Sequence, residues 1–376
     1  MREIYLDNNA SSRPLPEVVA AVSEALGRAG NPSSPHGAGR VAREIIESSR
    51  RDVASFVGAD PEGLIFTSSG TEANNMALLS AAGGRGRARV VTTSVEHSSV
   101  LKMCSRLEIT GAEVVRVGVD GSGVVDMEEL EKQIAAGADM VSVQWVNNET
   151  GVIQDTALVA EMCRKSGAAF HTDAAQTPGK IPVDTAALGA DFVTFTGHKF
   201  NAPQGCGAIA AKDRLGLSQM MFGGFQEGGF RPGTENVAGI AGMGAAARTR
   251  GKTAAADMER TRAMRDAFEE KVLEMVPGAT VNGAGANRAP NTASIAFRGA
   301  DGAKMTAILD SLGLRCSQGS ACTAFDPSPS YVLTAMGLSR ADAASSIRFS
   351  FGVDNPDDDA LLAAEMVARA RAASAR

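Results

Sequence analysis

From about residue 60 to 211 the chain alternates short apolar runs with longer amphipathic stretches. The runs at 64–66, 90–93, 114–117, 140–146, 169–171, 192–195 and 207–211 are rich in Val, Ile and Phe, which predicts buried strands. Amphipathic stretches such as 127–136 and 157–166 predict helices between them. Strand, helix, strand repeated this way predicts a mostly parallel sheet with helices on both faces. Ligands of such sheets bind beyond the carboxyl ends of the strands, so residues just after each strand are read first.

After Thr234 the texture changes. Residues 235–275 carry few breakers and predict one long helix. A strand at 292–297, a helix at 304–312, a strand at 314–317, a Gly/Ser/Pro-rich loop and a strand at 347–351 follow. For the last helix, Asn355 is the expected cap, Pro356 the first position and Asp357 to Asp359 the first turn. Arg369 and Arg371 stand near its end, in keeping with the helix dipole. An amphipathic helix is expected at 16–28. The expected architecture is α/β: a large domain over 11–247, and a smaller α/β domain formed by 1–10 and 248–376.

Bulk properties narrow the function classes. The chain of 376 residues is 44% hydrophobic and 21% charged, ordinary for a globular protein. A net charge of -6 argues against a nucleic-acid partner or an anionic membrane held by bulk electrostatics. No apolar run approaches a membrane span, and the charged beginning MREIYLDNNA does not resemble an export signal, so a cytoplasmic location is expected. Five cysteines at irregular spacing, with no CxxC pair, read as reduced thiols; no metal site is expected from them.

Chemistry concentrates at the predicted strand ends. Three of the four histidines, His97, His171 and His198, stand there in polar clusters, whereas His36 reads as an ordinary surface residue. Two chemistries could use them. His171, Asp173 and His198 have the ligand types of a two-histidine, one-carboxylate iron site. Alternatively, Lys199 would form an imine with an aldehyde cofactor, Asp173 would pair with its ring nitrogen, and His97 would stack on its ring. Gln176 and Asn148 could then hydrogen-bond the ring hydroxyl. The run Phe66-Thr-Ser-Ser-Gly70-Thr71 favours the second account. It ends a strand and opens a helix with small residues, which suits a phosphate. The iron account leaves that loop and Lys199 without a role. Cys104, Cys163, Cys206 and Cys316 read as packed thiols. Cys322 differs: its neighbours are small and polar, and Pro327 and Pro329 keep the segment irregular, so its thiol could reach and react.

At this point the chain resembles the cysteine desulfurases of the NifS/IscS type, within the class-V aminotransferase group. The matching blocks run from Tyr5-Leu-Asp-Asn-Asn-Ala10 to Ser346-Ile-Arg348-Phe-Ser. They include Gly30-Asn-Pro-Ser-Ser, Glu96-His97, Val146-Asn-Asn-Glu149, His171-Thr-Asp173-Ala-Ala-Gln176, Gly197-His-Lys199, Arg231-Pro-Gly-Thr234 and Gly319-Ser-Ala-Cys322-Thr. The resemblance implies the pyridoxal 5'-phosphate (PLP) transferase fold of type I. It makes Lys199 the Schiff-base lysine, with His97 also moving protons. Gly70, Thr71, Thr196 and His198 would hold the phosphate, with Thr234 reaching in from the second subunit of a homodimer. Asn31 and Arg348 would grip the substrate carboxylate, a task that suits the planar guanidinium.

The implied activity converts L-cysteine to L-alanine, leaving sulfur as a persulfide on Cys322 for an acceptor protein. Another PLP-dependent C–S lyase or a selenocysteine lyase is the alternative. The chain departs from the family at Gln204, Phe225 and Phe325, and none of these removes a catalytic group.

Overall fold

The computed structural model describes residues 2–81, 87–319 and 328–374. Cys322 and Phe325 lie outside the described residues. The strands, in chain order, are β1 (Ile4–Tyr5), β2 (Leu64–Thr67), β3 (Arg89–Thr93), β4 (Glu113–Val117), β5 (Met140–Ser142), β6 (Ala169–Asp173), β7 (Phe192–Thr196), β8 (Gly207–Ala211), β9 (Ala279–Val281), β10 (Thr292–Phe297), β11 (Leu314–Arg315) and β12 (Ser346–Ser350). The helices are α1 (Pro16–Leu26), α2 (Gly37–Val57), α3 (Gly70–Ala81), α4 (Ser98–Ile109), α5 (Met127–Ala135), α6 (Thr156–Ser166), α7 (Thr185–Leu188), α8 (Val237–Met275), α9 (Gly302–Leu312), α10 (Tyr331–Ala335), α11 (Arg340–Ala344) and α12 (Asp359–Ser374).

Seven strands form one mixed sheet in the order β2-β8-β7-β6-β5-β3-β4. β8 runs antiparallel to both its neighbours, and the other pairings are parallel. The apolar runs are continuous because both faces of the sheet are covered. Along β2, Leu64 and Phe66 enter one core and Ile65 the other. The same split separates Val91 from Val90, Val141 from Met140, and Val193 from Phe192.

A third core gathers the C-terminal part around Phe268, Ile295, Phe297, Ile347, Phe349 and Val367, and it takes in Ile4 and Leu6 from the beginning of the chain. The Phe268 ring lies 4.9 Å from that of Phe349 and 5.7 Å from that of Phe351. Helix α8, 39 residues long, joins the two parts. Its first half buries Ile240, Met243 and Ala245 against the sheet, and its second half buries Met264, Phe268 and Val272 in the C-terminal core.

Three expectations shift at their edges. The apolar run at 140–146 is strand only over Met140–Ser142. There the chain leaves the ladder, and Gln144 and Asn147 both donate to the Val95 carbonyl. The long helix is capped by Asn236, whose side chain accepts from Gly239 N. The last helix begins at Asp359, and Asn355 does not cap it. Asn355 instead accepts from Gly352 N at 2.7 Å and donates to the Tyr5 carbonyl at 3.2 Å. Tertiary partners claim the side chain that local pattern assigned to the helix.

Candidate active site

The carboxyl ends of β2, β3, β5, β6 and β7 open on one cavity of about 170 Å³. Because parallel strands share a direction, residues far apart in sequence meet at this edge. β2 delivers Ser69, Gly70 and Thr71, β3 delivers His97, and β5 is followed by Gln144 and Asn148. β6 ends in Asp173 with Gln176 just beyond, and β7 ends in Thr196 before His198 and Lys199. Asn9 and Ala10 cross from the N-terminal segment, and Arg348 enters from β12.

Each group is held by specific partners. Asp173 is buried; its Oδ2 accepts from Asn74 Nδ2 at 2.7 Å and its Oδ1 from Ala175 N at 2.9 Å. Asn74 is itself fixed, because Thr194 Oγ1 donates to its Oδ1 and its Nδ2 also donates to Ser99 Oγ at 2.9 Å. Lys199 Nζ donates to the carbonyls of Asn9 and Ala10 at 2.6 and 2.7 Å. His97 caps α4: its Nδ1 accepts from Ser99 N at 3.2 Å, so Nε2 carries the ring proton in the neutral form. Burial first, then the nearby Lys199 and Lys180, push His198 down to about 3, so this imidazole is neutral at physiological pH.

At the β2 end α3 starts at Gly70, and Gly70 and Thr71 line the cavity where the first amides of the helix and its positive dipole end stand. A Cβ on Gly207 would stand 2.5 Å from the backbone carbon of Ser69. Glycine there lets this turn lie flat on β8. Glu72 ties the turn down: its Oε2 accepts from Ser68 N at 2.8 Å and its Oε1 from Arg231 Nε at 2.9 Å. The Arg348 guanidinium is 2% exposed; it donates to Asp7 at 2.7 Å and to the Asn148 carbonyl at 2.9 Å. Its Nε is buried with no partner among the described residues.

The residues present fit PLP. An amine, a carboxylate held by two donors, and a helix N-terminus with small residues suit an aldehyde, a ring nitrogen and a phosphate in turn. The iron account does not fit. His171 is fully buried, shares a hydrogen bond with Ser142 Oγ at 2.8 Å, and does not line the cavity that Asp173 and His198 line. Among the described residues no cluster of His, Cys, Asp and Glu is placed to hold a metal.

Of the residues singled out from sequence, Gly70, Thr71, His97, Asn148, Asp173, Gln176, Thr196, His198, Lys199 and Arg348 line the cavity together. Asn31 and Thr234 are exposed and do not line it. The sequence reading missed Asn9, Asn74, Gln144 and Lys180. Asn74 had a usable signal, a polar residue on the apolar face of α3 beside Ala73 and Ala77. The others had none.

Comparison with known proteins agrees with this site. The family described as aminotransferase class-V matches residues 4–361. A cysteine desulfurase of Sinorhizobium fredii is 42% identical over 364 residues, 96% of this chain and 94% of that one. A NifS-like protein of known structure superposes with a TM-score of 0.90 at 30% identity, covering 98% of this chain and 99% of that one. SspA, solved in complex with cysteine, superposes with a TM-score of 0.80 at 29% identity, covering 93% and 99%. Sequence, fold and the convergence of Lys199, Asp173 and the α3 N-terminus on one cavity agree, and the chain belongs to the class-V aminotransferase family, among its cysteine desulfurases.

Proposed function

We propose that the protein is a PLP-dependent cysteine desulfurase that converts L-cysteine to L-alanine and holds the sulfur as a persulfide on Cys322. The observation that carries this reading is Lys199, Asp173, the α3 N-terminus and Arg348 around one cavity. When bound, PLP supplies an aldehyde for Lys199 and a ring that takes up electrons released at the substrate Cα.

The chain's own residues do the rest. Asp173, held by Asn74 and Ala175 N, keeps a proton on the ring nitrogen. The amides of Gly70 and Thr71, with Thr196 and neutral His198, bind the phosphate. Arg348, which lines the cavity, takes the substrate carboxylate. Lys199 would remove the Cα proton, and His97, lining the same cavity, would move protons. The Cys322 thiolate attacks the substrate Sγ, forming an S–S bond as the Cβ–Sγ bond breaks. Protonation of the remaining three-carbon unit gives alanine.

The exposure of Thr234, away from the cavity of its own chain, supports a homodimer in which Thr234 serves the partner's phosphate. An acceptor protein would collect the sulfur, in the cytoplasm. Among the described residues no helix is long and apolar enough to cross a membrane.

The deciding experiment follows alanine release from cysteine. Wild-type protein should be yellow, and borohydride should fix the cofactor to the Lys199 peptide. Brief treatment with cysteine should add one sulfur atom to the Cys322 peptide. Cys322→Ser should keep the colour yet release no alanine. Turnover of cysteine to alanine by Cys322→Ser at the wild-type rate would replace the persulfide route with a simple C–S lyase.

A further inference from the structure

We propose that Lys180 is a positioning residue that holds the Gln176 carboxamide with its nitrogen facing the cavity; the inference rests on the PLP reading above. Lys180 lies four residues beyond Gln176, in the turn after β6, and only 9% of it is exposed. Its ammonium donates to Gln176 Oε1 and, at 3.1 Å, to Asn9 Oδ1. A lysine ammonium has only donors, so the carbonyl end of the Gln176 amide must face it. The Gln176 nitrogen is thereby turned away from Lys180. One of its N–H groups donates to the Asn9 carbonyl at 3.0 Å, and because Gln176 lines the cavity the other is left for a group bound there.

Asn9 makes this frame rigid. Its Nδ2 donates to Thr292 Oγ1 at 2.9 Å and to the Asn148 carbonyl at 3.2 Å, and its Oδ1 also accepts from Asn291 Nδ2 at 3.0 Å. The same Asn9 carbonyl that receives Gln176 also receives Lys199 Nζ at 2.6 Å. Lys180 therefore controls a donor next to the lysine that bonds the cofactor, without touching the reacting atoms.

The charges facing Lys180 come from three other elements. Lys199 follows β7, Arg348 sits on β12 with Asp7 as its partner, and Arg250 sits on α8 with Asp257. Burial, reinforced by these three cations, lowers Lys180 well below the ordinary ammonium range. The neutral amine keeps two N–H groups, enough for Gln176 and Asn9, and Gln176 Nε2 is already committed to the Asn9 carbonyl, so the carboxamide orientation does not depend on the third proton.

With PLP bound, the Gln176 N–H would stabilise negative charge on the ring oxygen, and its loss would make that oxygen more basic. The test is the pH midpoint of the visible band of PLP-loaded protein, together with the affinity of apoprotein for PLP. Lys180→Met should raise the midpoint by about one pH unit and weaken PLP binding several-fold. Lys180→Arg, which keeps donors, should stay near wild type.

In a Gln176→Ala background, Lys180→Met should produce no further shift. A Lys180→Met midpoint equal to wild type would overturn the proposal, as would a full shift that persists in Gln176→Ala. If Lys180→Met does not fold, Lys180→Ala, which also removes the donors, takes its place and the same comparisons decide. A wild-type protein with no titrating band and no borohydride label on Lys199 would instead refute the functional reading on which the proposal stands.

Discussion

The two ends of the cavity are built on opposite principles. At one end a single carboxylate, Asp173, is surrounded by neutral donors: Asn74, the Ala175 amide and, through Asn74, Thr194 and Ser99. At the other end Lys199 and Arg348 line the cavity beside neutral His198, and the buried Lys180 lies close enough to feel both charges. The carboxylate end is complete in itself, because hydrogen bonds to an ionised acceptor satisfy it without a counter-charge. The cationic end is not complete. Burial lowers Lys180 and His198, and the Arg348 Nε lacks a partner among the described residues. Asp7 balances only one of these cations, Arg348, so anions such as a phosphate, a ring oxygen and a substrate carboxylate would complete this end.

A second buried carboxyl group, near enough to feel the charge of Asp173, is held differently. Glu96 is fully buried and receives two donors, Thr93 Oγ1 at 2.7 Å and Gln144 N at 2.9 Å, both on Oε1. Its Oε2 has no partner among the described residues. Burial, with the charge of Asp173 added, pushes this carboxyl up to about 8. Asp173 has a donor on each oxygen; Glu96 has both on one, and burial outweighs them.

The contrast can be broken at either end. The largest effect is expected from Lys199→Ala, which removes both the covalent anchor and the base. Alanine formation should fall by roughly 10⁴-fold or more, and borohydride should label no peptide. Next is Asp173→Asn, which leaves an uncharged amide opposite the ring nitrogen. A fall in kcat of about 10²- to 10³-fold is expected with much smaller changes in fold stability, read by kinetics beside circular dichroism.

Asn74→Ala sharpens the comparison, because it keeps the Asp173 charge and removes one donor. It should cost about 1–3 kcal/mol of stability in urea titration and weaken PLP binding. A variant as stable as wild type would mean that the carboxylate end is not held by this amide.

The smallest effect is a pH dependence. The folded-state value of Glu96, about 8, lies above its ordinary value of 4.5. Its contribution to stability is therefore present below about 4.5 and is lost as pH rises to about 8. Between those limits wild type should lose Tm relative to Glu96→Gln, by roughly 2–5 °C. Parallel Tm–pH curves for the two proteins would contradict a protonated Glu96.

Much of this was legible before the fold was known. The alternation of apolar runs and amphipathic stretches marked the sheet, and direction alone sends the ends of parallel strands to one edge. That is why His97, Asp173, His198 and Lys199 were found from local clusters near strand ends. His171 misleads for the same reason. It lies two residues before Asp173 in the same cluster, yet it is fully buried inside the sheet with Ser142 as its partner.

What the sequence by itself determined is the α/β order of elements, the small-residue turn before α3 and the reactive groups that follow the strands. These depend on periodicity and on short-range spacing, which a single chain displays openly. The tertiary structure alone decided the rest. Arg348 reaches the cavity from a strand of a different sheet, 149 residues beyond Lys199, and only family resemblance singled it out. Asn9 and Lys180 look like ordinary polar residues in turns, and Asn74 shows only that a polar residue interrupts the apolar face of a helix. Their roles come from partners distant in sequence, as when Asn9 meets Thr292 and Lys199. A hydrogen bond between distant segments leaves no periodic trace along the chain, so such positioning groups become visible only once folding has brought their acceptors within about 3 Å.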